Sequence, residues 1–192
     1  MALPIFFITL QLLWLVWAGY WIASIAYEAM TNRTKETERR RSGTNLLFFA
    51  LLFFLLTPVG LTGWLGSLFF QPTLLTKSPG LLIAAFGVSF SIWARRHLGA
   101  NWSGVPSLKK GHTLITGGPY SVVRHPIYTG ILFGMVGSAL VLGTNTSLIV
   151  IFLPILVVGI RIHQEEGLMR DKFGDEYRDY QRRVKTIIPW LL

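Results

Sequence analysis

The chain has 192 residues, of which 52% are hydrophobic and only 14% charged, with a formal net charge of +9 and no cysteine. Its apolar stretches reach the roughly 20 residues needed to cross a hydrocarbon core of about 30 Å, which marks an integral membrane protein and leaves no room for a separate soluble nucleotide-binding domain. The lack of cysteine excludes disulfides, thiolate nucleophiles and cysteine-ligated metals, and leaves the compartment undecided.

Five spans are expected in one all-α domain covering residues 1–192, at about 3–28, 46–70, 79–96, 126–142 and 147–163. The first is apolar from residue 2, and no small-residue cleavage site follows it, so a permanent helix is expected and not a signal peptide. The second carries Pro58, Gly60, Gly63 and Gly66, which predicts a kink or break in its second half. Nothing in spans one to three rises above generic apolar residues.

The segment Gly117-Gly118-Pro119-Tyr120-Ser121-Val122-Val123-Arg124-His125-Pro126-Ile127-Tyr128-Thr129-Gly130 leads from polar and ring-bearing residues straight into the fourth span. Pro126 suits the first turn of that helix and biases His125 to an extended conformation just outside it. The free amides and positive dipole end there favour an anion, and Tyr128, one turn in, can stack on or bond to an aromatic ligand. Taken singly, His125 and Tyr128 are more often a boundary histidine and an interfacial tyrosine of the aromatic belt. Gly130, Gly134 and Gly137 with Ser138 form a small-residue face for close helix approach, for which span five is the expected neighbour.

The chain turns at 143–147 and returns to emerge at Arg161-Ile162-His163-Gln164-Glu165-Glu166. The two polar clusters therefore share one side of the bilayer and can line one site. Arg161 and Glu165, four apart, lie on one helix face. Counted from Ser147, Arg161 lies about 21 Å along the helix, near the edge of the core. Such a pair costs desolvation unless it has further partners, so both an ordinary interfacial pair and a ligand contact stay open. Beyond Glu166, Met169, Phe173, Tyr177, Tyr180 and Val184 fall near one face of an interfacial amphipathic segment, broken at Gly174 and restarted from Asp175 as a cap. That tail either lies on the bundle or forms a pocket wall.

With these spans, 17 of the 18 basic residues lie on one side and only Lys77 lies opposite. The positive-inside rule then puts the amino terminus outside and the polar loops and tail in the cytoplasm. No folded basic module is visible, so the charge reads as topology and attraction to anionic lipid heads, not nucleic-acid binding. His112, His125, His163 and Glu165 share that side, yet none of their spacings is diagnostic of a metal, and none is expected.

The run His112-Thr113-Leu114-Ile115, then Gly118-Pro119-Tyr120, then Arg124-His125-Pro126-Ile127-Tyr128-Thr129-Gly130, then Glu165-Glu166 and Phe173-Gly174-Asp175-Glu176-Tyr177-Arg178-Asp179-Tyr180 resembles the isoprenylcysteine carboxyl methyltransferase family, whose superfamily includes phospholipid N-methyltransferases. The resemblance covers a core of about residues 95–190. It implies S-adenosylmethionine as methyl donor, bound on the cytoplasmic side between the last two spans, the preceding loop and the tail. By position, His112, Thr113, Leu114, Ile115, Tyr120, His125, Pro126, Ile127, Tyr128 and Glu165 look like cofactor contacts, Arg161 matches the substrate-associated position, and Arg161 with Glu165 are the implied catalytic pair. Val105 stands where some relatives have a polar cofactor contact.

A carboxylate acceptor is ionised at neutral pH and needs only orientation by an arginine, whereas an amine must lose a proton. The expected acceptor is therefore a carboxylate on a lipid-like, prenylcysteine-type group entering from the bilayer. A phospholipid or other lipid-amine N-methyltransferase is the alternative, and a nicotinamide-dependent sterol-type reductase a more distant one. The oligomeric state is open.

Overall fold

The computed structural model describes residues 2–31, 63–102 and 113–189. Its main elements are four helices: α1 (Ala2–Thr31), α2 (Leu74–Leu98), α3 (Pro126–Leu142) and α4 (Asn145–Arg183). Three of them are long and apolar enough to cross a membrane over Ile5–Tyr27, Leu74–Asn101 and Asn145–Phe173, and α3 is a shorter apolar helix. Most of the expected second span lies outside the described residues. Its end is a single turn, Gly63–Gly66, starting at a positive φ and followed by irregular backbone.

Helix α1 is apolar all round, as a helix between lipid and protein must be. Which side faces inward is decided by indoles. Leu10, Trp14, Trp17 and Trp21 are buried, while Ile8, Leu12, Leu15, Val16 and Ile22 are exposed. Trp17 and Trp21 stack at 4.6 Å, and Trp14 meets Trp17 edge-on at 5.5 Å. An indole N–H buried among apolar groups needs an acceptor. Trp14 donates to Ser138 Oγ at 3.0 Å on α3, and Trp17 to Ser91 Oγ at 2.9 Å on α2. Both serines pass the chain on to carbonyls of their own helices, Ser138 to Gly134 and Ser91 to Val88. The first and third spans thus hold more than generic apolar residues, contrary to expectation.

The small-residue face of α3 packs against α2 and α1, and this corrects the expectation that α4 would be its neighbour. Gly80, Ala84, Gly87 and Ser91 of α2 meet Gly137, Gly134 and Gly130 of the antiparallel α3. A Cβ on Gly87 would collide with backbone atoms of Gly130 and Gly134, and one on Gly137 with those of Gly80 and Ala84. Two backbones in direct contact bring Trp14 and Trp17 within reach of both serines.

Helix α3 begins where Pro126 predicts. It ends at Gly143, whose φ of 64° and N–H bond to the Ala139 carbonyl form a left-handed cap. The Gly143 carbonyl in turn accepts from Phe69 and Phe70 N–H at 2.7 and 3.2 Å. Helix α4 runs on past residue 163, the expected end of the fifth span, through the polar cluster to a non-helical Gly174 and then to Arg183. The break at Gly174 is the expected one. Tyr177 and Tyr180 beyond it are buried, with Met169, Phe173 and Val184 half-buried on the same side.

Candidate functional site

The beginning of α3, the middle of α4 and the tail after α4 converge. His125 sits between two carboxylates, with Nδ1 3.5 Å from Glu165 Oε2 and Nε2 3.3 Å from Glu166 Oε1. Tyr128 Oη donates to Glu165 Oε1 at 2.6 Å, and its ring lies 5.9 Å from the imidazole at an interplanar angle of 26°. The spacing explains the pairing: Tyr128 is three residues beyond His125, so both rings reach the same turn of α4.

The neighbouring glutamates divide the work. Glu165 keeps 28% of its side chain exposed and meets His125 and Tyr128 at the start of α3, whereas Glu166 is enclosed in a network. Arg124 donates from Nε and Nη2 to Glu166 Oε1 at 2.9 and 2.8 Å, and Gln181 donates to Oε2 at 2.8 Å. Arg170 stands 3.6 Å away, one turn on. Arg124 also reaches the carbonyls of Gln181 and Val184 at 3.3 and 2.5 Å and Thr186 Oγ1 at 2.8 Å. Its backbone N–H bonds to the Lys185 carbonyl at 2.8 Å, that of His125 to the Thr186 carbonyl at 3.0 Å, and Thr129 Oγ1 to the Ile187 carbonyl at 2.8 Å. A parallel bridge between Val123 and Lys185 completes the strap. The tail is therefore bonded along the start of α3. Much of the anion expected at the start of α3 is the chain's own: two carboxylates and three tail carbonyls.

Burial alone would lower the pKa of His125. Hydrogen bonds to Glu165 and Glu166 and their charges outweigh it, so the net direction is upward from 6.5. A raised histidine value stabilises the fold fully below pH 6.5, and that contribution disappears as pH climbs through the folded-state value. The difference in melting temperature between the native chain and His125→Gln should accordingly shrink as pH rises from about 6 to about 9. A constant difference across that range would show that imidazolium charge contributes nothing. Burial, then the charge of Glu165, pushes the Tyr120 phenol up as well, so it stays protonated.

Tyr120 is buried, with the His97 ring 6.4 Å away at 25°, and its carbonyl accepts from Tyr180 Oη at 2.6 Å. Arg161 is close enough for its charge to act on the Tyr128 hydroxyl. The structure thus brings together Tyr120, His125, Tyr128, Arg161 and Glu165. Pro126 is buried as the first residue of α3, and Ile127 packs on the apolar core. Thr113 is tied to Asn101 by two 3.1 Å bonds, which anchors the half-buried Leu114 and Ile115 near the end of α2. His112 lies outside the described residues. Among the described residues no three His, Asp or Glu side chains group as a metal site would require.

Three participants carry no site role in the sequence reading. Glu166 and Arg124 stood beside selected residues, and the buried arginine-glutamate pair could have been sought from the rule that a charge near hydrocarbon needs a partner. Arg95 was read only as a topogenic charge. Its guanidinium lies 4.1 Å over the Trp102 ring and its charge is felt at Tyr120.

The phospholipid methyltransferase family model matches residues 75–176, which include Tyr120, Arg124, His125, Tyr128, Arg161, Glu165 and Glu166. The protein-S-isoprenylcysteine O-methyltransferase of Mus musculus is 33% identical over 118 residues, covering 60% of this chain and 42% of that enzyme. Methanethiol S-methyltransferase 1 of Bradyrhizobium diazoefficiens is 37% identical over 71 residues, covering 37% and 24%. The chain thus spans less than half the length of these curated relatives. The structure of the eukaryotic intramembrane Ras methyltransferase, an isoprenylcysteine carboxyl methyltransferase, superposes with a TM-score of 0.58 at 20% identity over 90% of this chain and 66% of that one. Its fold and the long apolar helices make this chain an integral membrane protein. With its half-length match and the motif order intact, the chain belongs to the phospholipid methyltransferase family.

Proposed function

We propose that this chain is an S-adenosylmethionine-dependent methyltransferase whose acceptor is a carboxylate on a prenylcysteine-like lipid. The observation that carries the reading is the His125-Glu165-Tyr128 cluster at the start of α3, within the segment that matches the family. Five spans with the amino terminus outside and the site in the cytoplasm fit the distribution of basic residues.

The residues suit such a donor. Its ammonium and sulfonium call for a carboxylate that is not fully neutralised, and Glu165 is partly exposed where Glu166 is enclosed. Its adenine calls for flat apolar surfaces, for which Tyr120 and Tyr128 serve. The bound donor supplies an electrophilic methyl group. Tyr128 fixes the Glu165 carboxylate, His125 holds both glutamates, and Arg161 is the orienting cation for the acceptor carboxylate. No base is needed, because a carboxylate arrives ionised.

The family model's phospholipid description favours a second reading, transfer to a lipid amine. Titration of detergent-purified protein with S-adenosylmethionine and S-adenosylhomocysteine should give micromolar binding that weakens about tenfold or more in Glu165→Ala and Tyr128→Ala. Methyl transfer to an S-farnesylated cysteine derivative should be lost in Arg161→Ala. Retention of transfer to a phospholipid amine in that variant would support the second reading. A folded protein that binds neither adenosyl compound would sink both.

A further inference from the structure

At the end of the bundle remote from His125 lies a cavity of about 630 Å³, lined by Phe6, Phe7, Gln71, Leu74, Lys77, Val141 and Leu142 among others. Val141 and Leu142 close α3, so the 17 residues of that helix separate this cavity from His125 by about 25 Å. The Lys77 residue is only 7% exposed. Among the described residues no acceptor pairs with its ammonium. None of the chain's carboxylate side chains falls between Glu38 and Glu165 in sequence, so neither α2, α3 nor the stretch between them carries an acid. The nearest carboxylate on α1 is Glu28, about 30 Å along the helix from Phe7.

The helix worsens the imbalance. Lys77 is in the first turn of α2, where the macrodipole already carries partial positive charge, and that turn contains no acidic residue. An ammonium facing an apolar cavity beside hydrocarbon is stabilised by an opposite charge, and lysine near a membrane boundary ordinarily extends to water. Among the described residues no carboxylate faces Lys77 across this cavity, which leaves the place of its counter-charge to an anion from outside them.

We propose that this cavity holds an anionic lipid, with its phosphate on the Lys77 ammonium. The walls select a lipid over a free ion. Phe6, Phe7, Leu74, Val141 and Leu142 gain nothing from a hydrated phosphate but are stabilised by covering an acyl chain. Leu74 and Leu75, 62% and 88% exposed beside Lys77, present the mouth to the hydrocarbon. The volume falls within the roughly 300–1,000 Å³ range of small-molecule sites, enough for a headgroup and the first part of its chains. The site is independent of the methyl-transfer reading and would survive its failure.

Native mass spectrometry of the full chain in a neutral detergent tests this, with phosphatidylglycerol and phosphatidylcholine titrated in parallel and inorganic phosphate followed by thermal shift. One phosphatidylglycerol per chain should be retained over phosphatidylcholine, about tenfold more weakly in Lys77→Gln and restored in Lys77→Arg. Gln71→Trp fills the exposed mouth without altering charge and should weaken retention as well, so it decides the matter if Lys77→Gln misfolds. Equal retention of both lipids, or no effect of Lys77→Gln and Gln71→Trp in folded protein, overturns the proposal. Lys77-dependent stabilisation by inorganic phosphate equal to that by phosphatidylglycerol overturns the choice of a lipid.

Discussion

Replacing Arg124 by alanine is expected to destabilise the protein by about 3–5 kcal/mol, seen as a fall of about 10 °C in its thermal midpoint in detergent. The side chain is 9% exposed and its partner Glu166 is 11% exposed, so neither can turn to water. Without Arg124, the Glu166 charge keeps only His125, Gln181 and the distant end of Arg170, and the carbonyls of Gln181 and Val184 lose a donor. A double-mutant cycle sharpens the expectation. Glu166→Gln removes the charge that Arg124→Ala strands, so the double variant should be less destabilised than the sum of the singles. Strict additivity would mean that the pair is decorative and that the strap is held by its backbone bonds alone. Adenosyl-ligand affinity should fall in Arg124→Ala through loss of the tail wall, with Glu165 and Tyr128 untouched.

Gly87→Val is the second large effect. Its Cβ would meet the backbone of Gly130 and Gly134, which cannot rotate away as a flexible side chain can, so α2 and α3 must separate. Overpacking of this kind costs about 1–3 kcal/mol. Separation here would also stretch the Trp14 and Trp17 bonds to serines on the two helices. Gly159 on α4, with nothing within 4 Å of a built Cβ, provides a matched control. Gly159→Ala should be neutral or slightly stabilising, since alanine exceeds glycine in helix propensity by up to about 1 kcal/mol. If Gly87→Val melted with the native chain, the close contact of α2 and α3 would be refuted, and a lower midpoint for Gly159→Ala would mean that α4 packs where its surface is open here.

The sequence made the helical class legible because apolar runs of membrane length have few other solutions. Pro126 marked the start of α3 to the residue, and Gly174 the break in α4, because each acts through its own backbone. His125, Tyr128 and Glu165 could be assembled because the chain returns to one side after a short turn. Partner choice was a different matter. The glycine face of α3 was visible, but a flat small-residue surface fits any similar surface. Its match at Gly80, Ala84, Gly87 and Ser91 was missed because alanine and serine dilute the glycine pattern. The tryptophans of α1 looked like generic apolar residues for a related reason: an indole N–H declares its acceptor only once another helix is beside it. Glu166 was overshadowed by Glu165 because adjacent helical residues point about 100° apart, and only the position of α3 decides which faces a ligand and which faces Arg124.

The backbone contact between α2 and α3 bears on how anything could enter or leave. Helices separated by ordinary side chains can slide by small rotamer adjustments, as in shear motions. Two helices that touch through glycine have no such side chains to adjust, and a displacement of either drags the other and the α1 indoles bonded to both. Those three helices therefore form a stator. Opening is left to the second half of α4 beyond Gly174 and to the strap at 184–187, which Arg124 and Thr129 tie to the start of α3 and which has no backbone-to-backbone glycine contact with the stator.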